Sequence, residues 1–269
     1  MRGVSRRGPA PADNAPVIRQ TLAVAHRILT EYARQRRSLV FWAVFPALML
    51  LLFGSIYRAN PAMRMGFDAT PSGILIGAAL FFSGLGGTCA LVVAERERRT
   101  LRRLLISPLH PAAYFAGIVL AQGAVALGQA IIVFALAALL GAQFRGSVAL
   151  GAAITALSVA SYVGLGFFFG SRFAKRAEDI NGPLAAFGVP LLVLAGTFFP
   201  IQLMPPLMLQ LAWFDPVFHM NEALKAVALH GHGWQQLQGH LGFLLAFAAG
   251  SLALGVWSYR RLLGEEKQA

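Results

Sequence analysis

Six stretches of the chain, over residues 38–57, 72–94, 111–141, 148–170, 183–199 and 241–259, are apolar and contain no Asp, Glu, Lys or Arg. A helix that crosses a bilayer needs about 20 predominantly apolar residues. The pattern therefore predicts six transmembrane helices. The third is long enough to tilt. The fifth is short and interrupted by Pro190.

Two intervening segments have a pattern of their own. Ahead of the first span, Ile18, Leu22, Ala25, Leu29 and Tyr32 recur at spacings of four and three, with Arg19, Arg27, Glu31 and Arg34 on the other face. This predicts an amphipathic helix. It would lie along the inner leaflet, each surface arginine gaining about 1 kcal/mol from anionic lipid, or dock on another surface. Between the fifth and sixth spans, "IQLMPPLMLQLAWF" is apolar but too short to cross. "DPVFHMNEALKAVALHG" follows, with Asp215 as N-cap, Pro216 at the first helical position and Gly231 as the stop. These two predict a re-entrant helix pair in the outer leaflet. The fold class is an all-α polytopic membrane protein. Residues 1–37 form an N-terminal arm with the amphipathic helix, and 38–269 the transmembrane domain.

Composition agrees: 57% of residues are hydrophobic, 13% are charged and mean hydropathy is +0.62, against roughly 25% charge in soluble domains. The net charge of +12 sits at span ends and is read as an orientation signal, not a nucleic-acid patch. Nineteen of the 23 cationic residues fall on one side of the six-span pattern. Only Arg58, Arg64, Arg145 and Lys225 fall on the other. The positive-inside rule puts both termini in the cytoplasm. The N-terminus has no apolar core like that of a cleavable signal peptide. The single cysteine, Cys89, excludes an internal disulfide and a cysteine metal cluster.

The densest charge is "ERERRTLRR", residues 95–103. Read as a short helix beginning near Glu95, it carries Glu95 and Glu97 in its first turn and Arg102 and Arg103 toward its end, complementing the helix dipole. Glu95 is spaced to pair with Arg98 and Arg99. Leu101, Leu104 and Leu105 share a face, and Ser107 and Pro108 end the helix. This surface suits docking a partner protein. A positive-inside anchor alone would need the arginines but not the glutamates or the leucine face.

Chemistry of other kinds is weakly supported. The sequence holds no G-x-x-x-x-G-K-[ST] run. Gly166 and Gly170, in "GLGFFFGSR", make a small-xxx-small packing pair. The absence of ionisable residues from the spans argues against an ion-coupled carrier or an acidic-ring channel. Gln122 and Gln129 share a face, as do Thr155, Ser158 and Tyr162; they line a polar seam or bond between helices. His219, His230, His232 and His240 fall near the outer side, but no nearby carboxylate or cysteine completes a metal site. Neither paired acids nor H-E-x-x-H supports an intramembrane enzyme. No catalytic residue, metal or cofactor is expected in this chain.

"ERERRTLRRLLISPL" resembles the cytoplasmic loop of ABC-2 type transporter permeases, the membrane subunits of bacterial ABC exporters. "LAGTFFPIQLMPPLMLQLAWFDPVFHMNEALKAV" is similar to that family's segment after span five. The likeness extends from about residue 17 onward. Arg99 stands where the family commonly has glycine, and Lys225 where arginine is frequent. The resemblance implies that the charged run is a coupling helix seated on a separate ATPase subunit. Glu95, Arg96, Glu97, Thr100, Leu101 and Leu104 would make that contact. Ile18, Leu22, Leu29 and Tyr32 would belong to the family's connecting helix. Spans two and five would line a path at a homodimer axis, through Phe81, Phe82, Ser83, Thr197, Phe198 and Phe199. The implied assembly is a homodimeric permease with two ATPase copies, which hold the ATP and Mg, in a bacterial inner membrane. The motifs are closer to the drug- and antibiotic-exporting branch. A lipid-linked glycan exporter and a non-transporting membrane scaffold are the alternatives.

Overall fold

The computed structural model describes residues 16–60, 66–98, 109–174, 176 and 178–268. The expected leucine face and the stop at Ser107 and Pro108 lie outside these residues, as do Thr100, Leu101 and Leu104. Among the described residues there is no strand.

Helix α1, Val17–Arg34, precedes α2, Arg36–Ala59. The next rod has three stacked parts: α3, Gly66–Gly73; a π-helix, Ile74–Gly86; and α4, Gly87–Glu97. Then come α5, Pro111–Leu139; α6, Val148–Arg172; α7, Glu178–Leu194; α8, Pro206–Ala212; α9, Pro216–His230; and α10, Gln238–Gln268. Among the described residues, five helical segments are long and apolar enough to cross a membrane: Leu39–Ala59, Phe67–Glu97, Pro111–Leu139, Val148–Arg172 and Trp234–Leu262. In α7 the apolar part is Gly182–Leu194. At 1.5 Å per residue the whole 17-residue helix is about 25 Å long, short of a hydrocarbon core of about 30 Å.

The rod is the centre of the bundle. Its apolar window is 83% buried, against 17% for that of α2. The pattern predicts an ordinary α-helix here, yet 13 residues wind with wider turns. At the end of the segment the Gly87 amide reaches back to the Phe82 carbonyl, five residues earlier. π turns usually come as single bulges. This one is enclosed by neighbours on all sides, so tertiary packing governs a glycine-bearing stretch of low α propensity.

Lipid tails are as apolar as leucine, so close contact rather than water exclusion drives packing within a bilayer. Gly166 and Gly170 of α6 provide that contact. A Cβ on Gly166 would lie 2.5 Å from the Leu85 carbonyl oxygen, and one on Gly170 2.8 Å from that of Cys89. The predicted small-residue pair is thus the seam between α6 and the rod. Hydrogen bonds join other helices. Gln122 Nε2 donates to the Tyr32 hydroxyl (3.0 Å), Gln129 Nε2 to the Trp42 carbonyl (3.1 Å), and Ser83 Oγ to Gln129 Oε1 (2.9 Å). Tyr162 donates to the Ile76 carbonyl of the π-helix (3.2 Å). Thr155 and Ser158 bond within α6, to the carbonyls of Gly151 and Ile154. These polar residues therefore bond within and between helices.

Local end signals act where expected. Asp215 Oδ1 accepts from the Val217 amide (2.8 Å), Pro216 opens α9, and Gly231 stops it at φ 67°. Other expectations are revised. α7 ends at Leu194, not near 199, because the chain turns through Gly196 at φ 68°. Asn221 Nδ2 holds that turn by donating to the Ala195 carbonyl (2.8 Å). The buried stripe of α1 is Val24, Ala25, Ile28 and Tyr32, while Ile18 and Leu22 are 74% and 55% exposed and Leu29 is half-buried. The helix is rotated from its expected face because Val24 seats on Gly117 of α5, where no side chain intervenes. α1 is thus docked on the bundle, with part of its apolar surface outward.

Candidate functional site

Two sites emerge, one at the basic end of the rod and one along its flank.

At the basic end, α4 runs unbroken through Glu97, so Glu95 and Glu97 occupy its last turn rather than the first turn of a new helix. Carboxylates there oppose the helix dipole and need compensating cations. Glu95 is 5% exposed, and its partners among the described residues come from other helices rather than from Arg98, while Arg99 lies outside the described residues. Arg27 of α1 pairs with one carboxylate oxygen, and the Tyr114 hydroxyl of α5 donates to the other. Tyr114 in turn stacks on Tyr259 of α10, ring centroids 5.2 Å apart. Arg96 reaches the other way. Its Nη1 donates to the carbonyls of Gly170, Ser171 and Ala174 at 3.3, 3.2 and 3.0 Å, satisfying the C-terminal end of α6. Arg98 pairs with Glu31 of α1 at 2.7 Å. Nearby, burial pushes the Tyr32 phenol well above its usual range, and the hydroxyl stays a neutral acceptor for Gln122. Glu95, Arg96 and Arg98 thus lash the end of the rod to α1, α5 and α6. Glu97 alone of the four is an exposed carboxylate. The chain then continues into the segment outside the described residues.

Along the flank, a cavity of about 410 Å³ lies between the rod, α6, α7, the start of α9 and Phe247 of α10. Its wall is largely apolar, with Phe81, Leu85, Tyr162, Leu184, Phe187 and Met220 among the lining side chains. Among the described residues two charged side chains line it, those of Asp179 and Asp215. Asp179 sits at the basic end, its carboxylate accepting from the Arg176 amide (2.8 Å). Asp215 is 3% exposed. Burial pushes its carboxyl up to about 6, while the amides of Val217 and Phe218 pull the other way.

Of the six residues expected on a path, Phe81 lines this cavity. It meets Phe82 and Tyr162 edge-on. Phe82 packs on Phe45 of α2, and Ser83 points to Gln129 of α5. Thr197 is wedged against Gly73 and Gly77 of the rod. Phe198 packs on Phe53, and its carbonyl accepts from Tyr57. Phe199 is half exposed beside Phe53. The missed residues are Asp215 and the walls from α6 and α9. The signal for Asp215 is an acid inside "WFDP", where an N-cap does not need the charge.

The histidines divide. His219 and His240 face each other with Nδ1 atoms 2.9 Å apart, and His219 Nε2 lies 3.0 Å from the Trp213 carbonyl. A carbonyl only accepts, so Nε2 carries the proton and, in the neutral ring, Nδ1 of His219 accepts from His240. His230 and His232 have ring centroids 5.5 Å apart. Among the described residues no group of three or more potential ligands surrounds a metal position.

Residues 19–229 match the family model described as ABC-2 type transporter. Over 175 residues the chain is 29% identical to proteins named "Probable multidrug ABC transporter permease YbhR" from Escherichia coli strain K12 and from Escherichia coli O157:H7. The alignments cover 65% of this chain and 47% of each relative. The chain therefore spans about half the length of the curated relatives it matches.

Proposed function

The chain belongs to the ABC-2 type transporter family, and from that premise we propose that it is the permease subunit of an ATP-driven exporter. It is a multi-pass membrane protein. In the proposed arrangement α7 completes a six-span layout as a short fifth span, with α8 and α9 re-entering from the outer side. Both termini face the cytoplasm, in a bacterial inner membrane. Residues 1–37 are the cytoplasmic arm and 38–269 the transmembrane domain. Two copies of the chain form the permease, and two ATPase copies supply ATP and Mg²⁺ chemistry. This sequence has no nucleotide-binding glycine loop of its own.

The observation that carries this reading is the lashing at the end of the rod. Glu95, Arg96 and Arg98 bind inward to three other helices, and Glu97 faces out. A partner that pushes on Glu97 and the following segment would move α4, α1 and the end of α6 together. The rod and α6 are also walls of the cavity. Displacement at the basic end would therefore alter the cavity, which is the coupling a transporter needs. Thr100, Leu101 and Leu104 would complete the contact with the ATPase. The name carried by the E. coli relatives supports a drug-like cargo. The largely apolar wall suits a lipophilic or amphipathic molecule better than a glycan, which needs many hydrogen-bonding partners.

The test is co-purification with the candidate ATPase in mild detergent. The expected result is a two-plus-two complex that Glu97→Arg weakens at least tenfold. A chain that associates with no ATPase, or a complex indifferent to the reversal, would favour the membrane scaffold.

A further inference from the structure

We infer that the flank cavity is a binding site for a lipophilic cation, held by the carboxylate of Asp215. The inference deepens the permease reading, on which it rests for the role of the bound molecule as cargo.

The charge pattern is the first argument. The chain carries a net charge of +12, yet among the described residues both charged side chains in the cavity wall are acidic. Among the described residues no Lys or Arg lines the cavity. Lys225 of α9 pairs with Glu222 at 3.1 Å, and Arg96 binds the end of α6.

The second argument is the state of Asp215. Capping α9 uses one oxygen, Oδ1. Oδ2 is buried with no hydrogen-bond partner. Asn or Ser would cap as well without burying a charge. A buried carboxylate oxygen left unpaired is costly, and proteins normally pair it. A cationic ligand is the missing partner.

The third argument is the wall itself. Phe81, Tyr162, Phe187 and Phe247 contribute aromatic rings to the cavity. Ring faces attract a desolvated cation. A volume of about 410 Å³ is within the range of small-molecule sites, which combine apolar lining with a few fixed polar groups. A small hydrated metal ion would find too few oxygen ligands here. A bulky organic cation would use both the carboxylate and the rings.

The experiment uses the full chain in mild detergent, without any ATPase. Two probes of the same shape and opposite charge, tetraphenylphosphonium and tetraphenylborate, are titrated by equilibrium dialysis. The expected result is that the wild type prefers the cation by at least tenfold. Asp215→Asn, which keeps the cap, should lose that preference. Equal affinity for both probes in the wild type, or an unchanged cation affinity in Asp215→Asn, would overturn the inference. A second measurement needs no variant. Dicyclohexylcarbodiimide, which modifies carboxyls in apolar surroundings, should label Asp215 in the wild type. The cation should slow this labelling and the anion should not; equal labelling with either probe would also overturn the inference. Because binding is read without the ATPase, a failed complex with the ATPase would leave the cation site standing. Loss of the cation preference alongside an intact complex would leave the permease with a different cargo.

Discussion

Asp215 concentrates two demands in one side chain. Its Oδ1 caps α9, and its burial raises the carboxyl from 3.8 to about 6. Between those two values the folded chain binds more protons than the unfolded one. Stability therefore falls as pH rises from about 4 through about 6, then levels off. Tyr162 of α6 faces this carboxyl, and Asp179 lies farther along the cavity. Holding the carboxyl up at about 6 costs the folded chain roughly 3 kcal/mol at high pH. Asp215→Asn should therefore be more stable than wild type at pH 8, with the gap closing toward pH 4. Thermal unfolding in detergent at several pH values measures this, and a gap independent of pH would contradict it. Glu95 makes the opposite case, a buried carboxylate with partners on both oxygens. Removing one partner of a buried pair costs about 3–5 kcal/mol. Arg27 is 36% exposed, so water recovers part of that loss and about 1–3 kcal/mol is expected. Glu95→Gln should loosen α1, read as faster proteolysis within residues 17–34 than in wild type.

At the level of elements, what was legible in the sequence is what neighbouring residues decide. The start of α9 at Asp215–Pro216 and its stop at Gly231 follow from local caps. The pair Gly166 and Gly170 identified a packing face, and the structure supplies its partner, the backbone at Leu85 and Cys89. Gly166→Leu should force α6 off the rod at a cost of about 1–3 kcal/mol or more. It should lower the melting temperature and broaden the size-exclusion peak; a wild-type profile would show that the seam is not close-packed. What was not legible depends on distant chain. Arg27, the cation paired with Glu95, is 68 residues away, and Val24 finds its seat on Gly117. The 13-residue π-helix has no local signature, because neighbours on every side hold it. Treating residues 95–103 as a new helix put Glu95 and Glu97 at the wrong end of a helix that already existed.

For the whole molecule, the basic end and the flank cavity share the rod. α4 ends among Arg27, Glu31, Tyr114 and the α6 carbonyls, and its continuation through the π-helix forms one wall of the cavity. Of the residues expected along a path, Phe81 on the second span lines this cavity. Other walls come from α6, α9 and α10, which no spacing along the chain brings together. The central claim is that force applied at Glu97 reaches this cavity. Its most direct test is ATP-dependent uptake of a lipophilic fluorescent probe into inside-out vesicles holding the chain and the candidate ATPase. ATP turnover is followed in the same vesicles. Wild type should accumulate the probe, and Glu97→Arg should lose at least tenfold of that accumulation while remaining folded in the membrane. Accumulation unchanged by the reversal, or none in wild type despite active ATP turnover, would contradict the account.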